Sequence, residues 1–190
     1  MPIIVTDPFI SAFAHVIGEE AGFVDHPRDP GGATNLGVSL RYAKSKGRVL
    51  DLDHDGDVDV NDIRLVTLDD ARALYRQDFW LPAGCHWLPE PLALVVFDSA
   101  VNCGAGRAAR WLQTALRVTA DGVVGPRTIA VAQGLVPAGL LVEAIADVLA
   151  ARNLHNVTTG EWATFGLGWS RRLFRLAMAA QTLIPEGPAA

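Results

Sequence analysis

Hydrophobic residues recur at helical spacing along most of this 190-residue chain. Phe9, Phe13 and Ile17 follow one another every fourth residue and predict a first helix over 7–21. The same spacing, or a helix-start signal, predicts further helices over 40–45, 67–79, 92–101, 108–116, 126–133, 139–158 and 169–183. Strand signals are scarce, with at most a short β element near 32–38. The pattern therefore predicts a mainly α-helical fold.

Composition and charge narrow the classes of function. Half of the residues are apolar, but no run approaches the ~18 uninterrupted apolar residues of a membrane span. The N-terminal stretch lacks the basic start and the small-residue cleavage site of a signal peptide, so we expect synthesis in the cytoplasm. The net charge is −5, with −7 on residues 1–97 and +2 on residues 98–190. Such an acidic chain is a poor candidate for nucleic-acid binding, which relies on Lys and Arg.

Two adjacent glutamates close the first predicted helix. On a helix, Glu20 falls on the stripe of Ile17 and Phe13, whereas Glu19 aligns with His15. Glu20 is therefore expected to point towards apolar side chains, where desolvation and the negative end of the helix dipole both favour its protonated form. A general acid near neutral pH needs that form. The alternative, from helix position alone, is a glutamate in a structural ion pair.

A loop rich in turn residues follows over 25–37 and carries further candidate chemistry. It holds Asp25, Asp29 and Thr34, together with glycines that permit unusual backbone angles. A second carboxylate and a hydroxyl that return beside Glu20 would hold a water for attack on a sugar, and glycoside hydrolysis uses a pair of carboxyl groups. We interpret Glu20, Asp29 and Thr34 as candidate catalytic residues. Asp25 is interpreted as a candidate substrate-binding residue.

Residues 20–38 resemble the N-terminal signature of glycoside hydrolase family 108, a family of N-acetylmuramidases that includes phage endolysins. The matching runs read EAGFVD and DPGGATNLGV, with Ala21 and Phe23 where the family typically has Gly and Tyr. The resemblance implies that Glu20 is the catalytic glutamate. The order of the three candidate catalytic residues is also similar to the Glu-Asp-Thr triad of phage lysozymes, and a lysozyme-like helical fold is implied.

The resemblance continues along most of the chain. Similar segments are ARALYRQDFW at 71–80, FDSAVNCG at 97–104 and GWSRR at 168–172, and residues 112–128 resemble the predicted peptidoglycan-binding region of the family. Their place in the family motif makes Asp98 and Asn102 candidates for lining or supporting the substrate cleft. Tyr75 and Trp80 are candidates for stacking on a sugar ring, with core packing as the alternative.

Six aspartates lie in the segment DLDHDGDVDVND, residues 51–62. Their spacing fits the calcium loop of an EF-hand, whose ligand positions 1, 3, 5, 7, 9 and 12 fall on Asp51, Asp53, Asp55, Asp57, Asp59 and Asp62. Gly56 stands at the sharp turn. The last ligand position is Asp rather than Glu, which resembles dockerin-type loops. We predict a structural Ca²⁺ site, with a solvated acidic loop as the alternative.

The leading hypothesis is a lysozyme-type N-acetylmuramidase that cuts the β-1,4 bond between N-acetylmuramic acid and N-acetylglucosamine without a catalytic cofactor. A lytic transglycosylase, or a non-catalytic wall-binding protein stapled by calcium, is the alternative. We expect a catalytic region over 1–90 that contains the calcium loop, and a peptidoglycan-binding-like region over 91–185 packed with it as one unit. A monomer that reaches the cell wall after holin-type or other release is expected.

Overall fold

The computed structural model describes residues 7–18, 22–25 and 31–185, which are mostly helical. The α-helices are α1 (Pro8–Ile17), α2 (Leu40–Ser45), α3 (Val60–Leu65), α4 (Leu68–Tyr75), α5 (Glu90–Cys103), α6 (Ala105–Ala115), α7 (Pro126–Ala138), α8 (Leu141–Thr158) and α9 (Trp162–Thr182). The strands β1 (Thr34–Asn35) and β2 (Val38–Ser39) form a small antiparallel pair. The predicted mainly α, lysozyme-like fold with a small β element is confirmed. None of the helices in these ranges combines the length and hydropathy that a membrane span needs.

The element bounds differ from the predicted ones where local signals were hidden. Helix α3 was not predicted; it begins inside the acidic segment, where Asp59 and Asp62 form a reciprocal capping box. The helix predicted over 67–79 is α-helical only through α4 and continues as a π-helix over Arg76–Trp80. Helix α9 begins at Trp162, before the predicted start at residue 169. The hydrophobic spacing did not predict its first turns because glycines interrupt it there.

The chain divides into two compact units, and the first, Phe13–Tyr75, is called the small unit below. It contains the β-hairpin, the acidic segment and helices α2, α3 and α4. Val38, Ala43 and Ile63 have no exposed surface and form its apolar centre. The ring of Phe13 meets the ring of Tyr75 edge-on, with centroids 5.5 Å apart. A fully buried Val, Ile or Phe side chain stabilises the fold by about 1.5–3 kcal/mol.

The second unit, formed by Met1–Ala12 and Arg76–Ala190, is called the large unit. Helix α5 lies at its centre and packs against α6, α8 and α9. Its residues are buried on every side from Pro91 to Ala100, as expected for a helix that is apolar all round. Phe9, Trp80 and Phe97 contact one another edge-to-face beside α5, with ring centroids 5.4–5.8 Å apart.

Candidate active site

The hairpin of the small unit carries Thr34, one of the predicted catalytic residues. Strands β1 and β2 are joined by a two-residue turn, Leu36-Gly37. Both turn residues have positive φ, 49° at Leu36 and 74° at Gly37, which is the geometry of a type I′ hairpin turn. Positive φ is uncommon for a leucine, so the surrounding contacts must hold the turn in this conformation.

The loop that precedes the hairpin closes on itself through a backbone bridge between Val24 and Thr34. Each residue donates its N–H to the carbonyl oxygen of the other, at 2.8 Å in both directions. Thr34 is half-buried, and its hydroxyl donates to the carbonyl oxygen of Gly32 at 3.3 Å. The bridge therefore returns Thr34 to the segment 22–25, which follows Glu20 along the chain.

Of the other candidate residues in and before this loop, the structure describes only Asp25. Glu20 and Asp29 lie outside the described residues, as does Glu19, so their predicted roles stay predictions. Asp25 is described and exposed, directly beside the bridged Val24. An exposed carboxylate at this place is accessible to a ligand. Its role in substrate binding also stays a prediction.

Tyr75 fastens the hairpin turn to α4. Its side chain is buried, and its hydroxyl donates to the carbonyl oxygen of Gly37 at 3.1 Å. A Cβ atom on Gly37 would lie only 2.2 Å from that hydroxyl, so the close approach requires glycine. These contacts favour the packing role for Tyr75 over the sugar-stacking role, the two possibilities that the sequence left open.

Asn35 ties the hairpin to the end of α3. Its side-chain amide donates to the carbonyl oxygens of Ile63 at 3.0 Å and Val66 at 3.2 Å. Carbonyls in the last turn of a helix have no partner within that helix, so a side-chain donor satisfies them. Helix α3 begins within the acidic segment, and the hairpin is therefore connected to that segment through a single short helix. Asn35 stood in the family-like run TNLG, but sequence reasoning assigned it no role.

Trp80 and Asp98 belong to the interior of the large unit. Trp80 is 2% exposed, and Phe9 and Phe97 cover it edge-to-face, which favours packing over sugar stacking. Asp98 is 1% exposed. Asn102 is exposed, one helical turn further along α5, and its side-chain amide donates to the carbonyl oxygen of Asp98 at 2.8 Å. Of these candidates, Asn102 is the one accessible to a ligand.

The carboxylate of Asp98 is held by two arginines from different helices. Arg152 of α8 donates to Oδ1, and Arg172 of α9 donates to Oδ2 from Nε at 3.0 Å and from Nη2 at 2.6 Å. Burial alone would raise the pKa of Asp98, but the two guanidinium groups outweigh it and hold this pKa below its usual value. The network fastens α5 to α8 and α9. Sequence reasoning missed Arg152, although it stands on the buried stripe of Ala144 and Val148.

The six aspartates of the acidic segment form two groups of three. Within each group, one carboxylate oxygen per residue lies within 4.8 Å of the others; the groups are Asp51, Asp53 and Asp55, and Asp57, Asp59 and Asp62. Gly56 has a φ of 101°, as expected for the sharp turn between them. Repulsion from Asp55, followed by desolvation, raises the pKa of Asp57. The grouping therefore concentrates negative charge that a cation would neutralise.

Asp62 is buried and bonds to the backbone of this segment. It is 1% exposed and accepts hydrogen bonds from the backbone N–H groups of Leu52 at 2.6 Å and Asp59 at 2.7 Å. Burial would raise the pKa of Asp62, but the backbone donors more than compensate and lower it. Asp51 differs, because its Oδ1 atom is buried and has no hydrogen-bond partner among the described residues. A buried carboxylate oxygen without a donor fits the requirements of a hard cation such as Ca²⁺.

The motif at residues 112–128 is held together by Gln113, which is 1% exposed. Its amide nitrogen donates to Asp121 Oδ1 at 2.7 Å and to the carbonyl oxygen of Val123 at 2.9 Å. Its amide oxygen accepts from the N–H of Gly122 at 2.8 Å. One buried side chain on α6 thus satisfies polar groups of the following turn.

The chain is similar to a known protein family and to a solved structure. Residues 13–104 match the family model described as Glycosyl hydrolase 108. The whole chain is similar to the solved structure of Brucella abortus SagA, with a TM-score of 0.78 and 30% sequence identity, over 95% of this chain and 98% of that chain. None of the curated proteins compared with the chain matches it.

The fold and the matched segment define a glycoside hydrolase with a mainly helical scaffold. The chain belongs to glycosyl hydrolase family 108. The family implies peptidoglycan as the substrate class.

Proposed function

We propose that this glycoside hydrolase is a lysozyme-type N-acetylmuramidase. Its substrate bond is then the β-1,4 linkage between N-acetylmuramic acid and N-acetylglucosamine. The supporting observation is the backbone bridge of Val24 with Thr34, which closes the loop after Glu20 within the segment that matches the family. Such a closed loop can present a carboxylate and a hydroxyl on the same side of a bound sugar.

The proposed chemistry needs one acid and one group that handles water. Glu20 protonates the glycosidic oxygen of the leaving sugar. Asp29 and Thr34 position the attacking water or stabilise the oxocarbenium-like centre that forms as the bond breaks. Asp25, exposed beside the bridge, contributes a polar contact to the sugar. No metal ion takes part in these steps.

The position of Thr34 depends on contacts outside the loop. Tyr75 holds the turn of the hairpin through Gly37, and Asn35 holds β1 through the end of α3. A displacement of about 1 Å in a catalytic group can lower a rate by about 100-fold. Under this proposal Tyr75 and Asn35 are positioning residues, which act through the hairpin and do not touch the substrate.

Matched substitutions of the two adjacent glutamates test the assignment. We expect Glu20→Gln to abolish the clearing of a peptidoglycan suspension while the melting temperature stays nearly unchanged, because the amide cannot donate a proton to the leaving oxygen. Glu19→Gln is the control, since it changes the same charge one residue away and should keep its activity. Full lytic activity in Glu20→Gln would overturn the proposal.

Product masses separate the proposed reaction from its alternatives. Hydrolysis adds one water to each bond cleaved, whereas a lytic transglycosylase leaves an anhydro end that lacks that water. A wall-binding protein without activity would sediment with insoluble peptidoglycan and leave its turbidity unchanged. Hydrated reducing ends in the wild-type digest are the expected result. The same sedimentation, done with the variant Glu20→Gln, tests whether the chain binds the cell wall, the role proposed for residues 91–185.

We also propose that the acidic segment 51–62 holds a structural Ca²⁺. Asp51 supports this, because its buried Oδ1 has no donor among the described residues, and so does the repulsion between neighbouring carboxylates in each group. Ca²⁺ takes six to eight oxygen ligands, and carboxylates from both groups would supply them. The ion would stabilise the start of α3 and, through Asn35, the hairpin.

Thermal unfolding with and without calcium tests this site separately from activity. At a Ca²⁺ concentration about 100 times its dissociation constant, binding to the folded state stabilises it by about 2.7 kcal/mol. We expect the melting temperature to rise in Ca²⁺ and to fall after a chelator is added. Asp51→Asn should reduce that difference, whereas Asp69→Asn, at an exposed position on α4, should not. Equal melting temperatures in calcium and in chelator would contradict the site.

A further inference from the structure

Helix α9 carries basic side chains and no acidic one. Arginines are the only charged residues among its 21 residues, in a chain whose net charge is −5. Arg172 points inward and pairs with Asp98. Arg171 and Arg175 are exposed and form no ion pair within the described residues. Two cationic groups on the exterior of α9 are therefore not neutralised.

Large apolar side chains lie between and beside these arginines. Leu167, Phe174 and Met178 are 67%, 71% and 72% exposed. Their spacing of seven and four residues places them on one line of the helix, about 16 Å long. The opposite side of α9 carries Leu173 and Leu176, which are buried against the large unit.

We call this line the outer face of α9, defined by Leu167, Arg171, Phe174, Arg175 and Met178. Single exposed apolar residues are ordinary on protein surfaces, but a continuous row of three, interleaved with arginine, is the pattern of a binding surface. A second copy of the chain docked on the same face would bring two arginine-bearing faces together, so like charges oppose self-association.

We propose that the outer face of α9 binds the surface of an anionic phospholipid bilayer. A helix that combines an apolar line with exposed basic residues and no acidic ones lies in the plane of the lipid interface, with its apolar side chains among the acyl chains. Guanidinium groups at its edge pair with lipid phosphates, to which they are complementary in charge and geometry. The enzyme would thereby be held at a membrane surface.

Two properties distinguish this binding from other associations. Attraction to lipid phosphates is screened by salt, so binding should fall steeply as ionic strength rises. It should also require anionic lipid, because the apolar line is too short to hold the protein on a neutral bilayer without the arginines.

Sedimentation of the full chain with vesicles tests the proposal. We expect about tenfold more protein on vesicles of phosphatidylglycerol and phosphatidylcholine in equal parts than on phosphatidylcholine alone, at low salt. The double variant Phe174→Ser/Met178→Ser should lose most of this binding, and Arg171→Gln/Arg175→Gln should fall to the low level seen on neutral vesicles at every salt concentration. The control is Leu154→Ser, which is 67% exposed like Leu167 but lies on α8, outside the outer face of α9, and should bind as the wild type.

The remaining outcomes decide against the proposal. Equal binding to neutral vesicles, or unchanged binding in both double variants, would overturn it. A dimer in solution that Phe174→Ser/Met178→Ser converts to a monomer would make the face a self-association surface. Loss of sedimentation with insoluble peptidoglycan in the arginine variant would make it a wall-binding surface. Because all substituted side chains are exposed, melting temperatures near that of the wild type should confirm that each variant is folded.

Discussion

In the small unit, side-chain hydrogen bonds from Tyr75 and Asn35 hold the hairpin, whereas in the large unit a helix buried from Pro91 to Ala100 and a buried charge network hold the fold. The first kind of contact fixes one loop and leaves the rest of the core unaffected. The second kind joins three helices, so its loss affects the whole unit. Substitutions in the large unit should therefore reduce stability most, and those in the small unit should reduce activity more than stability.

The largest expected effect on stability comes from Asp98→Ala. This change leaves the buried Arg152 and its neighbour Arg172 without a counter-ion, and breaking a buried ion pair in this way costs about 3–5 kcal/mol. That is a large part of the 5–15 kcal/mol that stabilises a typical domain. Urea unfolding measures the loss. Asp147→Ala, at an exposed position on the same α8 that carries Arg152, is the control and should change little.

The pH dependence of stability tests the same network. The arginines hold the pKa of Asp98 below the value of a free aspartate, so the folded state favours the charged form. The resulting stabilisation is fully present above the pKa of Asp98 in the unfolded chain. It is lost as pH falls through the lower pKa of the folded state. We expect the wild type to lose stability in acid more steeply than Asp98→Asn, and parallel curves would contradict the role of the charge.

The next effect is expected at the hairpin turn, from Gly37→Ala. The added Cβ would lie 2.2 Å from the hydroxyl of Tyr75, and alanine would also have to adopt a φ of 74°. Together these costs are about 2–3 kcal/mol, measured by thermal or chemical unfolding. A Tyr75→Phe background removes the clashing hydroxyl. Gly37→Ala should therefore cost less stability in that background than in the wild type. Additive effects of the two changes would contradict the close contact.

The contrast also explains what the sequence could and could not predict. The helices of the large unit follow from hydrophobic spacing, because a helix buried on one or all sides must carry apolar residues there. Thr34 was a candidate because turn residues and the family-like run pointed to its loop. Asn35 and Arg152 were not, because their roles depend on partners at Ile63 and Asp98, which are distant in sequence. Spacing along a chain carries little information about such pairs.

A smaller effect on stability, with a larger one on catalysis, is expected for Asn35→Ala. The change removes two hydrogen bonds to carbonyls at the end of α3, at about 1 kcal/mol each in net terms. If Asn35 positions Thr34, the turnover rate should fall by more than the fraction of unfolded protein explains, with little change in substrate binding. Asn153→Ala, at an exposed position on α8, is the control. A purely structural role would lower the melting temperature and leave the activity of the folded fraction unchanged.

The smallest effect on stability is expected for an exposed ion pair that, like the buried network, joins an aspartate to an arginine. Asp69 and Arg72 of α4 are paired at 3.0 Å, but the side chain of Asp69 is 88% exposed. Water and salt screen such a pair, so Asp69→Asn should change the free energy of unfolding by less than about 0.5 kcal/mol. Compared with Asp98→Asn under the same conditions, it contrasts an exposed pair that involves one arginine with a buried network that involves two. A similar loss of unfolding free energy in both variants would mean that burial among α5, α8 and α9 does not strengthen the ion pairs of Asp98. The distinction between the two units would then fail.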